Sequence, residues 1–121
     1  MRRMLGAAGA MVAVLGLGGT GSPAWANTFT SPNPPVADGY AKWTDSTNTL
    51  SCFNGTAGNP ADVNCYLVRP GGAVETVPSP IPSTTFASSY PNISEDKAIQ
   101  IYMCVTRGRN TTCYQSVHGT S

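Results

Sequence analysis

The chain has 121 residues, only 11% of them charged, and its seven basic and six acidic side chains give a formal net charge of +1. This length accommodates one domain of ordinary size. The balanced charge offers no general attraction to nucleic acid, so we expect no nucleic-acid partner.

The first 26 residues predict a secretory signal peptide. Arg2 and Arg3 form a basic start, an apolar run follows over residues 4–17, and Ala24-Trp25-Ala26 fits a cleavage site. The run is shorter than the roughly 20 residues of a membrane-spanning helix. Cleavage would leave 95 residues with five basic and six acidic side chains, a formal charge of −1. We expect a secreted, extracellular protein without a membrane span.

The start of the mature chain divides into a lead-in and a domain. Residues 27–36 contain three prolines and few apolar side chains, which predicts a flexible lead-in. The domain is expected over residues 37–121. Its first strand is predicted at Gly39–Thr44, where the alternation places Trp43 in the core.

Further short strands are predicted at residues 49–53, 62–69, 73–77 and 84–90, separated by turns rich in glycine, proline and asparagine. The alternating prolines of residues 78–82 exclude a central strand, because proline lacks a ladder donor, and indicate an edge or a crossover. No stretch has a helical period. The sequence therefore predicts an all-β fold, a small antiparallel sandwich or barrel of about six or seven strands.

The last part of the chain predicts a β-hairpin. Apolar residues alternate from Lys97 to Thr106, and a glycine at the first central position of the loop suits a type II′ turn. A turn centred on Gly108 and Arg109 places Cys104 opposite Cys113. The same register places Ile101 opposite Ser116, on the apolar face.

Four cysteines in a short exported chain imply two disulfides, and no metal site or cofactor is expected. The hairpin register favours Cys104–Cys113, on the more polar face. It leaves Cys52–Cys65 to bridge neighbouring strands. The alternative is that a hairpin cysteine points inward and bridges two sheets, as in immunoglobulin domains.

The hairpin turn is the candidate binding site. Arg107, Gly108, Arg109 and Asn110 form a cationic tip on a disulfide-closed turn, a form in which protein inhibitors present a contact residue at low entropic cost. The alternative is an ordinary solvated turn. A sugar-binding aromatic face is a further alternative, although cross-strand packing is the commoner use of such residues; its candidates are Tyr40, Tyr66, Tyr90 and Tyr102.

No catalytic residue is predicted. His118 is the only histidine, and a secreted ribonuclease would need it beside a carboxylate and arginines, for which Glu75, Arg69, Arg107 and Arg109 are available. Their spacing does not support such a site. Three Asn-x-Ser/Thr sequons begin at positions 54, 92 and 110, and we treat them as chance because the signal peptide looks bacterial.

The mature chain resembles small secreted four-cysteine proteins of actinobacteria, through Ala37-Asp38-Gly39-Tyr40 and through Met103-Cys104-Val105 with Thr112-Cys113. The proteinaceous α-amylase inhibitors and the enediyne-binding apoproteins share the plan of a secreted β-sandwich with two short-range disulfides. This sequence lacks the Trp-Arg-Tyr triplet of the inhibitors and does not match the apoproteins' binding cleft. The resemblance implies an architecture and no functional residue.

These observations favour a secreted, non-enzymatic binding or inhibitor module. Its expected partner is an extracellular protein or a glycan, and the module itself is expected to be a monomer. The alternatives are a small secreted hydrolase or ribonuclease and a cell-surface structural protein.

Overall fold

The computed structural model describes residues 28–121, so the predicted signal peptide lies outside the described residues. Nine strands and one short 3-10 turn, Asp45–Thr47, make up the regular structure of this part of the chain. The strands are β1 (Thr28–Val36), β2 (Gly39–Thr44), β3 (Thr49–Asn54), β4 (Asp62–Val68), β5 (Val74–Ser79), β6 (Thr84–Ser89), β7 (Ala98–Arg107), β8 (Asn110–Cys113) and β9 (Val117–Thr120). Over residues 28–121, no helix is long and apolar enough to cross a membrane.

The strands form two antiparallel sheets, which confirms the predicted all-β sandwich. The first sheet has the order β1-β2-β3-β6, and the second has the order β5-β4-β7-β8, with β9 also pairing with β7. The chain changes sheet after β3, after β5 and after β6. There are more strands than the predicted six or seven because the lead-in is itself a strand and the return arm of the hairpin is divided between β8 and β9.

The core lies between the two sheets, where alternate residues of each strand point inward. Trp43 is fully buried on β2, as predicted, and the apolar parity of β7 faces it from the second sheet. Together the buried apolar cluster contains Ala41, Trp43, Leu50, Cys52, Val63, Cys65, Leu67, Val77, Ile93, Ile99, Ile101, Met103 and Val105.

The prediction of a flexible lead-in over residues 27–36 is corrected, because Thr28–Val36 is strand β1 of the first sheet. It pairs with β2 from Thr28↔Thr44 to Ser31↔Ala41, and again at Val36↔Gly39. Its three prolines lie between Ser31 and Val36, where the pairing with β2 is interrupted at the sheet edge, so their missing donors break no ladder bond. Phe29 packs against the core. The sandwich therefore includes residues that composition alone assigned to a linker.

The proline segment at residues 78–82 behaves as predicted. Pro78 lies in β5, which is the edge strand of the second sheet. The following residues carry the chain across to β6 at the edge of the first sheet.

The terminal hairpin confirms the predicted turn and cysteine pairing. Cys104 pairs with Cys113 in the β7–β8 register and forms a disulfide with it, with a Cα–Cα distance of 4.0 Å. Gly108 has a φ of 60°, the left-handed value that the first central position of a type II′ turn requires. This disulfide is not part of the apolar core cluster.

Beyond the disulfide the register differs from the prediction. Ile101 lies opposite Val117 rather than Ser116. The ladder is interrupted between β8 and β9, and the interruption adds one residue to the return arm. The predicted hairpin register is therefore correct along β8 and wrong by one residue along β9.

The second disulfide has the predicted partners but a different role. Cys52 and Cys65 are bonded with a Cα–Cα distance of 5.5 Å, and both are fully buried. Cys52 lies on β3 of the first sheet and Cys65 on β4 of the second. The expectation that they bridge neighbouring strands of a sheet is thus wrong, because the connection after β3 crosses to the opposite sheet. The inter-sheet bridge considered for the hairpin cysteines is made by this pair instead.

Candidate functional site

The predicted binding residues lie at one end of the second sheet. Arg107 ends β7, Asn110 begins β8, and Gly108 and Arg109 form the turn between them. Gly108, Arg109 and Asn110 are exposed. We call these three residues the tip surface.

Arg107 does not point into solvent with them, because its guanidinium is bound by two other loops. Nη2 donates to Asp38 Oδ1 and to the Asn59 carbonyl oxygen, each at 3.0 Å. Nη1 donates to Asp38 Oδ2 at 3.4 Å, and Nε donates to Asn59 O at 3.3 Å. A two-pronged contact of this kind fixes orientation as well as distance. Arg107 therefore positions the tip surface and is not itself an open contact residue.

The two partners of Arg107 belong to the other connections at this end of the sandwich. Asp38 lies in the turn between β1 and β2, and Asn59 lies in the connection between β3 and β4. The hydrogen bonds that Arg107 donates to Asp38 raise the pKa of its guanidinium above its ordinary value. The contact thus joins three loops through a group that stays charged, and we call it the Arg107 clamp.

A buried polar network holds the β3–β4 connection in place. Asn54 Nδ2 donates to the carbonyl oxygens of Ala61 at 2.9 Å and Ser79 at 2.7 Å. Its Oδ1 accepts from both the backbone nitrogen and the hydroxyl of Thr56. All four hydrogen-bonding positions of this amide are used, and the residue is fully buried.

This network has a consequence for the first sequon, which begins at Asn54. Glycosylation needs an accessible amide nitrogen, whereas Asn54 Nδ2 is buried and donates both of its hydrogens. Asn54-Gly55-Thr56 is a structural motif in this fold. The hydrogen bond from the Thr56 nitrogen to the Asn54 side chain forms an Asx turn. An asparagine followed by glycine favours such a turn, so the sequence could have indicated it.

His118 lies at the opposite end of β7 from the tip surface. It is paired in register with Gln100, seven residues from Arg107 along the strand, a span of about 23 Å. The structure therefore separates His118 from Arg107 and Arg109. It does bring Arg69 to the same end as His118, and Arg69 forms an ion pair with Glu75 at 2.8 Å.

The four tyrosines do not form one aromatic face. Tyr66 and Tyr102 stack on the outer side of the second sheet, with ring centroids 4.7 Å apart. Tyr40 contacts Phe53 on the outer side of the first sheet, at 5.3 Å. Burial raises the pKa of Tyr90, which packs against the core. These contacts are cross-strand or core packing.

Within residues 28–121, no group of three or more histidine, cysteine, aspartate or glutamate side chains is arranged to hold a metal ion. The chain matches no protein-family model, and no curated protein and no solved structure matches it either. The case for the tip surface therefore rests on geometry alone. Its three exposed residues lie between the Cys104–Cys113 disulfide and the Arg107 clamp.

Proposed function

We propose that this protein is a secreted, non-enzymatic binding or inhibitor module that contacts an extracellular protein through the tip surface. The observation that carries the proposal is the Arg107 clamp, which ties an exposed turn to two neighbouring loops. Each side chain immobilised on binding costs about 0.5–1.5 kcal/mol, so a turn held before the encounter binds at a lower cost. Export is supported by the signal peptide pattern and by two disulfides.

Arg109 is the expected contact residue of the tip surface. It is exposed, and the ion pairs among residues 28–121 are Arg69–Glu75 and Arg107–Asp38, so no carboxylate in this range is paired with it. Arginine is enriched among the residues that dominate binding energy at protein interfaces. A protein partner that presents carboxylate or carbonyl oxygens fits this side chain.

The binding role is favoured over hydrolysis for a geometric reason. A ribonuclease built on His118 would need arginines close to it; Arg107 and Arg109 lie at the far end of β7, which leaves Arg69 as the arginine near His118. Glu75, the carboxylate considered as a general base, is engaged by Arg69. No observation at this end of the sheet favours a second candidate function.

The test is affinity capture from culture supernatant with immobilised protein. We expect Arg109→Ala to lose at least 90% of the partner recovered by the unaltered protein, since truncating a central arginine of an interface costs about 2 kcal/mol or more. Lys42→Ala is the matched control, because Lys42 is an exposed positive charge on β2, away from the tip. Equal recovery by both variants would remove the tip surface from the proposal. Retention of the protein in the cell-wall fraction would instead favour a structural role.

A further inference from the structure

A pocket opens at the end of the sandwich opposite the tip surface. It is a shallow, widely open depression with a volume of about 410 Å³. Its walls are the β4–β5 turn, the start of β7 and one residue of β9; the lining residues are Val68, Arg69, Pro70, Gly71, Gly72, Lys97, Ala98, Ile99, Gln100 and His118. We call it the basic pocket.

The ionisable side chains of the lining are all basic. Arg69, Lys97 and His118 come from three different elements, and no acidic residue lines the pocket. Arg69 donates to Glu75 through Nη1, which fixes the guanidinium while leaving Nη2 and Nε outside that bond. Glu95 and Asp96 precede Lys97 in the chain, but neither is part of the lining. An anionic group in this pocket would lie among the Arg69 guanidinium, which Glu75 shares, the Lys97 ammonium group and the His118 imidazole.

The backbone at Arg69, Lys97 and His118 is held by hydrogen bonds and strand pairing. Arg69 N donates to Ala73 O at 2.7 Å, and Gly72 N donates to Arg69 O at 2.9 Å, which closes the β4–β5 turn. Lys97 N donates to Ser121 Oγ at 3.1 Å, and Ser121 N donates back to Lys97 O at 2.8 Å. The backbone that carries these side chains is therefore ordered before a ligand binds.

The pocket also has uncharged polar and apolar walls. Gln100 Oε1 accepts from Ser116 Oγ at 3.0 Å, so the orientation of this amide is set by the protein. Val68 and Pro70 add apolar surface. A volume of a few hundred Å³ with this mixture of surfaces suits a small molecule that combines hydroxyl groups with one charged group.

We propose that the basic pocket binds an anionic sugar, a hexose ring that carries a carboxylate, sulfate or phosphate group. The charged group would contact Arg69, Lys97 and His118, and the ring hydroxyls would contact the Gln100 amide and the turn backbone. A free amino acid fits less well, because the lining has no carboxylate to receive its ammonium group. This site is independent of the tip surface, and a saccharide here would anchor the protein while the tip contacts a protein.

The experiment is an NMR titration that follows the ring protons of His118, whose signals are unambiguous because the chain has one histidine. Glucuronate, glucose 6-sulfate and glucose 6-phosphate are added separately, with pH and ionic strength held constant. We expect saturable shifts with at least one of them and none with glucose, and the ranking of the three identifies the charged group. Absence of a shift with all three would overturn the proposal, as would equal shifts with acetate or inorganic phosphate.

Two variants make the result specific to the pocket. Lys97→Gln removes an exposed charge of the lining, and we expect affinity for the best sugar to fall about ten-fold, as for loss of one charged hydrogen bond. Lys42→Gln, with the same change of charge on the other sheet, should bind like the unaltered protein. Equal affinity of the Lys97→Gln variant and the unaltered protein would contradict the proposal. Arg109→Ala should not change sugar binding, so this site and the tip surface can fail separately.

Discussion

Asn54 is a fully buried residue whose side chain connects three segments of the chain. It joins the end of β3 to the β3–β4 connection and to Ser79 at the end of β5. Its backbone oxygen also accepts from Ser83 N at 2.7 Å, in the crossover to β6. One buried amide thus fixes the place where the chain twice changes sheet.

Replacing this amide should be costly. Asn54→Ala removes the donor to the buried Ser79 carbonyl oxygen and the acceptor of the buried Thr56 nitrogen, and each unsatisfied group costs about 1–3 kcal/mol. We therefore expect the free energy of unfolding to fall by about 2–4 kcal/mol in urea denaturation with the disulfides intact. Asn92→Ala, at an exposed sequon, is the control and should change it by less than about 0.5 kcal/mol. A loss at Asn54 no larger than that of the control would contradict the assigned network.

The Arg107 clamp should affect mobility more than stability. Asp38→Ala removes a partly exposed ion pair, which contributes little to stability because solvent screens it. We expect a correspondingly small change in unfolding free energy, but faster amide hydrogen exchange at Gly108 and Arg109, because the turn loses its attachment to the β1–β2 loop. Asp62→Ala, an exposed carboxylate on β4, serves as the control. Unchanged exchange at the turn would show that the disulfide alone holds it.

The contacts of Arg107 are the part of the site that the sequence could not predict. The turn type and the opposed cysteines follow from ten consecutive residues and were predicted, whereas Arg107 was expected in the exposed tip and is instead bound by two other loops. The partners of Arg107 are Asp38, 69 residues away, and Asn59, 48 residues away, and no local pattern relates them to it. The tip could therefore be located from the sequence, but its attachment could not.

At the scale of elements, β1 is the strand that could not be predicted from composition. Its prolines and polar residues are typical of a linker, whereas its pairing with β2 and the packing of Phe29 make it a sheet edge. Gly119 on β9 of the opposite sheet receives the Phe29 ring, since a Cβ at position 119 would stand 2.1 Å from Phe29 Cε1. The edge strands of the two sheets therefore meet at a glycine.

This contact can be tested by a double-mutant cycle. Gly119→Ala should destabilise the protein by about 1–3 kcal/mol, because the added methyl group displaces a packed ring. In the Phe29→Ala background the same change should cost much less, since the ring has been removed. Urea denaturation of the four proteins gives the coupling energy, which should be about 0.5 kcal/mol or more. Strictly additive losses would mean that β1 does not pack on β9.

At the scale of the whole molecule, the sequence predicted the strands better than their arrangement. Alternation is a local property, so β2, β3, β4 and β7 were placed within a few residues of their observed bounds. Sheet membership depends on which way each connection turns, and the seven residues between β3 and β4 gave no indication of that. For this reason Cys65 was predicted correctly as the partner of Cys52, but their disulfide was not expected to join the two sheets.

The two disulfides should consequently differ in accessibility. Cys113 is exposed on β8, whereas Cys52 and Cys65 are fully buried between the sheets. A thiolate must reach a sulfur atom to exchange with it, so a mild thiol reductant applied to the folded protein should open Cys104–Cys113 first. Timed alkylation followed by peptide mass spectrometry would give the order. In urea, where burial is lost, the two bonds should be reduced at similar rates. Earlier labelling of Cys52 and Cys65 in the folded protein would mean that the sheets separate more readily than the terminal hairpin opens, contrary to a core built around an inter-sheet bridge.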